Sequence, residues 1–256
     1  MFLIESDPTL SVGNGELIAD KITMPNAQAP FSRTRLVALL RQSLECCSAT
    51  IVCGRAGTGK TALALDFARQ CNRPVTWYKV DAPENDPKSF FQYLIASIQK
   101  ECPNFGEKTL LAALRTTSGN QIDTLAEAFI YELIEGDNQP LLIVIEDLHL
   151  VSDSEWLIPF LRRVLPLVPE NVHVLMTSRV MPSAALWRMR SKQTLAVIEE
   201  ESLVFTRQEA VDLFDSYALS REHAAIALDH TKGRAAALAR FATLLINRER
   251  PASVRV

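Results

Sequence analysis

Residues 54–61 have the types and the spacing of a phosphate-binding loop. They read Gly-Arg-Ala-Gly-Thr-Gly-Lys-Thr, which matches GxxxxGK[ST], and they stand between an apolar run and a helical pattern. Glycines let backbone N–H groups curl around phosphate oxygens, and the positive end of the following helix faces the same anion. The chemistry expected here is therefore nucleotide binding. The alternative is a glycine-rich turn that only joins a strand to a helix.

Each position of this loop has an expected role. Lys60 is predicted to neutralise the β and γ phosphates as a point charge, and the Thr61 hydroxyl is predicted to be a Mg²⁺ ligand. Thr58 and Ala62 are expected to contribute mainly backbone amides. The loop residues predicted to bind the nucleotide are Gly54, Ala56, Gly57, Thr58, Gly59, Lys60, Thr61 and Ala62.

Two carboxylates, Glu146 and Asp147, end an apolar run that begins at Leu141. This is the Walker B arrangement, because a doubly wound sheet binds its ligand at the carboxyl ends of its strands. One carboxylate is expected to hold Mg²⁺ through its water shell, and the other to orient or deprotonate the attacking water. The usual order is Asp followed by Asp or Glu, so Glu146 in the metal position predicts slow turnover. A plain polar end to a buried strand is the alternative, and His149 is interpreted as a loop residue.

Arg179 follows a second apolar run, residues 172–177, which is predicted to lie beside the phosphate strand. A planar guanidinium binds phosphate oxygens in a bidentate way, so Arg179 is a candidate sensor of the terminal phosphate. A solvated or ion-paired arginine is the alternative. The candidate catalytic residues are Lys60, Glu146, Asp147 and Arg179.

These residues need a scaffold that brings several strand ends together. Apolar runs predict strands at 50–53, 74–80, 141–146, 172–177 and 195–198. Helical patterns occupy 33–46, 60–70, 87–100, 121–134 and 153–164. Strands that alternate with helices predict a parallel sheet covered on both faces. Asp86 before Pro87, and a capping box that starts at Ser152, support two of the helix starts.

The pattern after residue 202 is helical only. A capping box joins Thr206 to Glu209, Ser220 can cap a second helix, and residues 235–246 suit a third. The expected fold class is an α/β P-loop NTPase of the ASCE/AAA+-like type, with a parallel sheet of about five strands and a small helical subdomain. The predicted domains are an N-terminal arm at 1–30, the P-loop domain at 31–201 and the helical subdomain at 202–256.

Composition narrows the class of protein. The chain has 256 residues, 48% hydrophobic and 22% charged, which excludes disordered and fibrous classes. No apolar run approaches the roughly 20 residues that span a bilayer, and the first residues do not form a signal peptide, so a cytoplasmic location without a membrane partner is expected. The five cysteines, odd in number and without a CxxC pair, predict reduced thiols. A net charge of −3 argues against direct nucleic-acid binding by this chain.

Several segments in order resemble the nucleotide-binding region of signal-transduction ATPases with numerous domains (STAND), in the branch of the MalT-like, LuxR-type regulators. The likeness covers roughly residues 20–245, and only the P-loop is specific by itself. The segments that carry it are 31–36, 54–61, 75–81, 85–94, 146–150, 177–179, 203–206 and 209–210.

The resemblance implies a molecular switch whose ATP-bound and ADP-bound states differ in shape. It implies that Arg33 contacts the nucleotide, that Arg179 senses the γ phosphate, and that the ATP state self-associates or binds a regulatory protein. Two alternatives remain open: a nucleotide-gated interaction module without turnover, and an AAA+-like loader acting on nucleic acid.

The sequence also departs from the family pattern. Glu146 replaces the usual aspartate, and residues 232–236 lack the proline common in the helical-domain glycine motif. The chain ends at Val256, before the winged-helix, sensor-repeat and DNA-binding parts of such regulators. Transcriptional control is therefore not expected of these residues themselves.

Overall fold

The computed structural model describes residues 17–27, 31–81, 86–116, 121–136, 139–181 and 186–249. Much of the predicted N-terminal arm, residues 1–16 and 28–30, lies outside the described residues. The same holds for residue 85, which opens one of the segments that carry the family resemblance, and for residues 250–256 at the end of the predicted helical subdomain. In the described part of the arm, Ala19–Ile22 form a short 3-10 helix that buries Ile22.

Among the described residues, five parallel strands form one sheet. Strands β1 to β5 are Ala49–Cys53, Val75–Lys79, Leu141–Glu146, Val172–Ser178 and Leu195–Ile198. Their order across the sheet is β2-β3-β4-β1-β5, and each neighbouring pair is parallel. Every residue of β1, β3 and β4 is buried, which explains their near-continuous apolar sequences. The predicted sheet is confirmed.

Strand β4 lies between β1 and β3, so the expectation that residues 172–177 lie beside the phosphate strand is confirmed. Cys53 of β1 pairs with Ser178 of β4, and Ile145 of β3 pairs with Met176 of β4. The carboxyl ends of these three strands therefore lie side by side. This register brings the P-loop, the two carboxylates and Arg179 to one edge of the sheet.

Helices cover both faces of the sheet. Helices α1 to α8 are Thr34–Cys46, Lys60–Gln70, Pro87–Gln99, Leu110–Thr116, Ile122–Ile134, Leu157–Val164, Trp187–Ser191 and Glu200–Leu203. One core packs α3, α5 and α6 against the sheet, and a second core packs α1 and α2 against the opposite face. The predicted cap of α3 is confirmed, because the Asp86 carboxylate accepts a hydrogen bond from the Ser89 N–H at 3.2 Å.

The predicted helix at 153–164 is too long at its start. Helix α6 begins at Leu157, and no side chain caps it, so the capping box predicted at Ser152 is wrong. Pro159 gives the physical reason. A helix that began at Asp153 would hold Pro159 in its interior, where the missing N–H breaks the hydrogen-bond ladder, whereas the observed start places Pro159 in the first turn.

Three further helices follow β5 and α8. Helices α9, α10 and α11 are Arg207–Ser216, Arg221–Thr231 and Ala235–Glu249, and they pack around a hydrophobic cluster of their own that includes Phe214. The capping box from Thr206 to Glu209 and the Ser220 cap are both confirmed. No helix in the described part of the chain is long and apolar enough to cross a membrane.

Candidate nucleotide-binding site

The glycine loop joins β1 to α2 in a conformation that requires glycine. Gly57 and Gly59 have φ angles of 80° and 92°, a region that residues with a side chain rarely adopt. A Cβ at Gly54 would lie 2.9 Å from the Thr58 hydroxyl oxygen. The loop is therefore a tight turn in which these glycines expose the backbone, as a phosphate cradle needs.

Lys60 begins α2 and turns back over this loop. Its Nζ donates hydrogen bonds to the carbonyl oxygens of Gly54, at 2.6 Å, and Arg55, at 3.1 Å. Burial lowers the pKa of Lys60, while the carboxylate of Asp147 acts in the opposite direction and Arg179 lowers the pKa further. The ammonium group is thus fixed beside the end of β1, with both a carboxylate and a second cation close enough to influence its pKa.

Thr61 and Glu146 contact each other directly. The Thr61 hydroxyl donates a hydrogen bond to Oε1 of Glu146, and Nε1 of Trp77 donates one to Oε2 at 3.3 Å. Glu146 is 3% exposed. The structure therefore brings together two of the three predicted metal ligands and holds both carboxylate oxygens of Glu146.

Asp147, the third predicted metal ligand, follows β3 in a left-handed conformation, with φ of 59°. Its backbone N–H donates to the Thr177 hydroxyl at 3.0 Å, which ties the end of β3 to β4. Nδ1 of His149 lies 3.8 Å from Oδ1 of Asp147 and has no hydrogen-bond partner among the described residues. Burial lowers the pKa of His149. The Asp147 carboxylate is partly exposed beside the loop.

Arg179 lies at the end of β4 with an exposed side chain. It makes no hydrogen bond or ion pair with the residues that the structure describes. Its charge lowers the pKa of both Lys60 and His149, so it lies on the same sheet edge. The structure therefore places the predicted sensor near the predicted phosphate site, with its guanidinium free of other described partners.

Arg33, which the family resemblance assigns to the nucleotide, is buried and makes most of its contacts with other residues of the chain. It is 8% exposed and donates to the carbonyl oxygens of Leu203, at 2.8 Å, and Val204, at 3.1 Å. Its Nη2 forms an ion pair with Glu209 at 3.0 Å, and the guanidinium lies 4.0 Å from the centre of the Phe205 ring. Its Nε is buried and lacks a partner in the described parts of the chain. Arg33 therefore anchors the helical part, and its Nε is the guanidinium nitrogen left without a partner among the described residues.

Arg55 and Thr58 of the loop form hydrogen bonds with other residues of this protein. The backbone N–H and Nε of Arg55 each donate to the Glu200 carboxylate at 2.7 Å, and the Thr58 hydroxyl donates to the Arg55 carbonyl oxygen at 2.9 Å. Ala62 is exposed and lines the cavity described below. The loop conformation is therefore fixed by one hydrogen bond within the loop and by the contacts of Arg55 with Glu200.

The start of α11 lies directly on the glycine loop. Nη2 of Arg234 donates a hydrogen bond to the Ala56 carbonyl oxygen, and the Ala236 N–H donates to the Gly57 carbonyl oxygen at 2.9 Å. A Cβ at Gly57 would approach the Ala236 Cβ to 3.0 Å. The glycine motif at 232–236 therefore contacts the loop even without a proline.

A cavity of about 380 Å³ opens between the loop and the helical part. Its walls are mostly apolar, and the polar groups lie toward the loop and at Arg33 and Asp66. The lining residues are Phe31, Arg33, Gly57, Gly59, Lys60, Thr61, Ala62, Leu63, Asp66, Phe205, Leu213, Ala235, Ala236 and Ala239.

The donor set fits a nucleotide with Mg²⁺. Within the described ranges, no group of three or more His, Cys, Asp or Glu residues could hold a metal ion by itself. Mg²⁺ is commonly bound by one or two carboxylates together with substrate phosphates and water. Thr61, Glu146 and Asp147 supply that kind of incomplete ligand set beside the phosphate cradle.

Trp77, Phe205 and Arg234 are among the residues of this region that were absent from the predicted site. Trp77 and Phe205 belong to segments that carried the family resemblance, and Arg234 belongs to the glycine motif that lacks proline. Their types gave no chemical signal, because an indole, a phenyl ring and a lone arginine occur throughout proteins. Only their positions distinguish them, since Trp77 contacts Glu146, Phe205 lines the cavity and Arg234 contacts the loop.

Known proteins resemble this chain in sequence. A family model described as the AAA ATPase domain matches residues 30–177. The HTH-type transcriptional regulator MalT of Serratia proteamaculans is 31% identical over 205 residues, which cover 80% of this chain and 22% of that protein. The same-named protein of Yersinia enterocolitica is 30% identical over 226 residues, covering 87% of this chain and 24% of that protein. The chain thus spans less than a quarter of the length of these relatives.

Two solved structures share the fold. The Walker-type ATPase of Pyrococcus abyssi has a TM-score of 0.53 at 15% identity, covering 86% of this chain and 69% of that one. A STAND protein with a tetratricopeptide repeat sensor from Pyrococcus horikoshii has a TM-score of 0.54 at 16% identity, covering 83% of this chain and 29% of that one. These likenesses establish the α/β P-loop NTPase fold.

Proposed function

Because this chain belongs to the AAA ATPase domain family, as a MalT-like STAND P-loop NTPase, we propose that it is the nucleotide-operated switch module of a MalT-like regulator. It binds ATP and ADP with Mg²⁺ and hydrolyses ATP slowly. The observation that carries this proposal is the apolar cavity that opens onto the glycine loop and is closed by the helical part.

The cavity divides into a phosphate end and a nucleoside end. The phosphates lie on the backbone of the loop and the N-terminus of α2, beside Lys60. The base and ribose lie against Phe31, Phe205 and Ala239, which line the rest of the cavity. Its volume of about 380 Å³ is within the ordinary range for small-ligand sites, about 300 to 1,000 Å³.

The carboxylates divide the remaining work. Glu146, held by Thr61, is the metal-side group, and Asp147, partly exposed beside the loop, positions and activates the attacking water. Mg²⁺ supplies charge neutralisation on the phosphates when it is bound. Arg179 is the γ-phosphate sensor, since its guanidinium has no other partner in the described chain.

The contacts between the loop and the helical part couple nucleotide state to shape. Arg234 and Ala236 bind carbonyl oxygens of the loop itself, and Arg55 binds Glu200. When the terminal phosphate rearranges the loop backbone, the carbonyl oxygens that accept these hydrogen bonds move with it. Exchange of ADP for ATP therefore shifts the position of α11 relative to the sheet, which is the switch.

The domain organisation that fits this switch is a P-loop domain at 31–201 and a helical subdomain at 202–256, preceded by an arm at 1–30. The separate hydrophobic cluster of α9 to α11 supports that division. The partners are ATP and either a second copy of the chain in the ATP state or a regulatory protein. The location is cytoplasmic, and direct nucleic-acid binding by this chain is not part of the function.

Substitution of Lys60 tests the site. Lys60→Ala removes the ammonium group from the phosphate end, so we expect ATP and ADP affinity, measured by calorimetry with Mg²⁺ on nucleotide-stripped protein, to fall about 100-fold or more. Lys88→Ala, which removes an exposed lysine from α3, is the matched control and should bind as wild type does. Normal Mg-ATP binding by folded Lys60→Ala would refute the proposed site.

One observation favours a second candidate, a nucleotide-gated interaction module without turnover. The hydroxyl of Thr61, itself a predicted metal ligand, already donates a hydrogen bond to Oε1 of Glu146, so a metal has to displace this contact before it can be held by both groups. Phosphate release by the same samples separates the two candidates. Measurable release that Lys60→Ala abolishes supports the ATPase, and tight binding without release supports the module.

A further inference from the structure

Glu146 is held on two sides by neutral donors, and one of them has no assigned role. The Thr61 hydroxyl binds Oε1, while the indole N–H of Trp77 binds Oε2 at 3.3 Å. Trp77 is 1% exposed and Glu146 is 3% exposed. The carboxylate is therefore fixed in a dry environment by a side chain from the neighbouring strand.

The register of the sheet explains why this side chain reaches the carboxylate. Trp77 pairs with Val144, and Lys79 pairs with Glu146, between the parallel strands β2 and β3. Successive side chains of a strand alternate between faces, so Trp77 and Glu146 are diagonal neighbours on one face. Trp77 packs in the same core cluster as Val144, and this packing restricts the orientation of the indole.

Because glutamate has one more methylene than aspartate, the orientation of the Glu146 carboxylate depends more strongly on its hydrogen-bond partners. Compared with aspartate, Glu146 has one more rotatable bond, so more orientations compete with the one that faces the phosphate cradle. A hydrogen bond to a charged acceptor from a buried, rigid donor selects one orientation. Groups held in place by such supporting contacts bind and react better than mobile ones.

We propose that Trp77 is a positioning residue for Glu146, the carboxylate that holds magnesium. Its indole N–H keeps the Glu146 carboxylate in one orientation, which the shorter side chain of an aspartate would adopt without such help. The inference rests on the proposed function, since it assigns Glu146 to the metal. A merely structural indole would use Glu146 only as a convenient partner for a buried N–H. The two roles differ in whether loss of the N–H changes the magnesium dependence of nucleotide binding.

Calorimetry of ADP with Mg²⁺ and with EDTA tests this difference. Trp77→Phe keeps an aromatic ring and removes the N–H, so we expect the gain in ADP affinity that Mg²⁺ provides to shrink about tenfold. The affinity for ADP in EDTA should stay within about twofold of wild type, because the phosphate cradle is unchanged. Trp156→Phe, which removes a buried indole from the core on the opposite face, is the matched control and should change neither value.

A second measurement keeps Trp77 itself. The chain has three tryptophans, so the double variant Trp156→Phe with Trp187→Phe leaves Trp77 as the only indole. We expect its fluorescence emission to change when Mg²⁺ is added to the ADP complex, because the charge on its hydrogen-bond acceptor is then neutralised. Addition of Mg²⁺ without nucleotide should leave the emission unchanged.

The outcomes separate this inference from the proposed function. If wild type binds Mg-ADP and Trp77→Phe keeps the full magnesium gain, the positioning role is wrong while the nucleotide site stands. If Trp77→Phe does not fold, an emission from the single-tryptophan variant that ignores Mg²⁺ in the ADP complex overturns the role equally. If wild type binds no nucleotide, the proposed function and this inference both fall.

Discussion

His173, near the start of β4, shows how burial sets the chemistry of a single residue. Its Nδ1 donates to the Cys47 carbonyl oxygen at 3.0 Å, and its Nε2 accepts from the Thr50 hydroxyl at 2.9 Å. A carbonyl partner requires the proton on Nδ1, so the neutral ring satisfies both bonds. Burial lowers the pKa of His173 to about 4, with Arg73 adding to the effect. The folded protein therefore resists protonation of this ring.

That pKa predicts an acid-sensitive contribution to stability. An unfolded histidine has a pKa of about 6.5, so below that pH the unfolded state gains the proton first and the free energy of unfolding falls. The contribution is fully present above pH 6.5 and is lost as the pH falls toward 4. The total is roughly 3 to 4 kcal/mol, since the pKa falls from about 6.5 to about 4 and each pH unit of difference is worth about 1.4 kcal/mol.

Urea unfolding between pH 7.5 and pH 4.5 measures this contribution. His173→Gln lowers the stability at pH 7.5 and should flatten the dependence on pH by about 1 kcal/mol per pH unit. His230→Gln, at an exposed position of α10, is the control and should keep the wild-type slope. Equal slopes for all three proteins would mean that His173 titrates normally in the folded state.

At the scale of an element, the first turn of α9 connects the helical part to the rest of the chain. The Glu209 carboxylate accepts the Thr206 N–H at 2.9 Å, as a capping box requires, and also binds Arg33 and Arg35 at 3.0 and 3.2 Å. The cap was readable from sequence. The two ion pairs were not, because Arg33 and Arg35 lie on α1 or just before it, far away in sequence.

Two substitutions in this turn should have unequal costs. Glu209→Ala leaves the buried guanidinium of Arg33 without its carboxylate, so we expect the free energy of unfolding to fall by about 3 kcal/mol. Thr206→Ala removes only a cap and should cost about 1 kcal/mol. Urea denaturation measures both.

A double variant identifies the cause of the larger loss. Adding Arg33→Met to Glu209→Ala removes the unpaired charge and should recover part of the stability, whereas the same change in wild type destabilises. Equal losses for Glu209→Ala and Thr206→Ala would show that the ion pairs contribute nothing beyond the cap.

At the scale of the whole molecule, the end of the cavity proposed to hold the nucleoside belongs to no single element. Phe31 precedes α1, Phe205 follows α8, and Ala239 lies on α11, yet all three line one space. Each part of the molecule supplies only one wall. The cavity therefore exists only while the helical part is packed against the glycine loop.

A bulky residue on α11 tests this assembly. Ala239→Trp should fill the cavity and weaken ADP binding more than tenfold, because an indole occupies much of the volume that the nucleoside needs. Thr243→Trp, one turn further along the same helix at an exposed position, should bind ADP normally. Calorimetry decides, with thermal unfolding as a check that both variants fold. Normal binding by Ala239→Trp would place the nucleoside elsewhere.

The sequence by itself determined the parallel sheet, the position of the glycine loop and the two carboxylates at the end of β3. These features follow from local rules. Continuous apolar runs report strands buried on both faces, Gly57 and Gly59 report positive φ angles, and Lys60 and Thr61 follow at fixed spacing. The start of α6 was missed because the acidic cap pattern at Ser152 competes with Pro159, and the proline dominates.

Only the tertiary structure decided which residues from distant parts of the sequence meet around the glycine loop and the end of β3. Trp77 reaches Glu146 through strand register, Arg33 is committed to Glu209, and Arg234 binds the loop from α11. The physical reason is that such contacts depend on how elements pack across long sequence separations. Local propensity carries no information about which buried donor will find which acceptor.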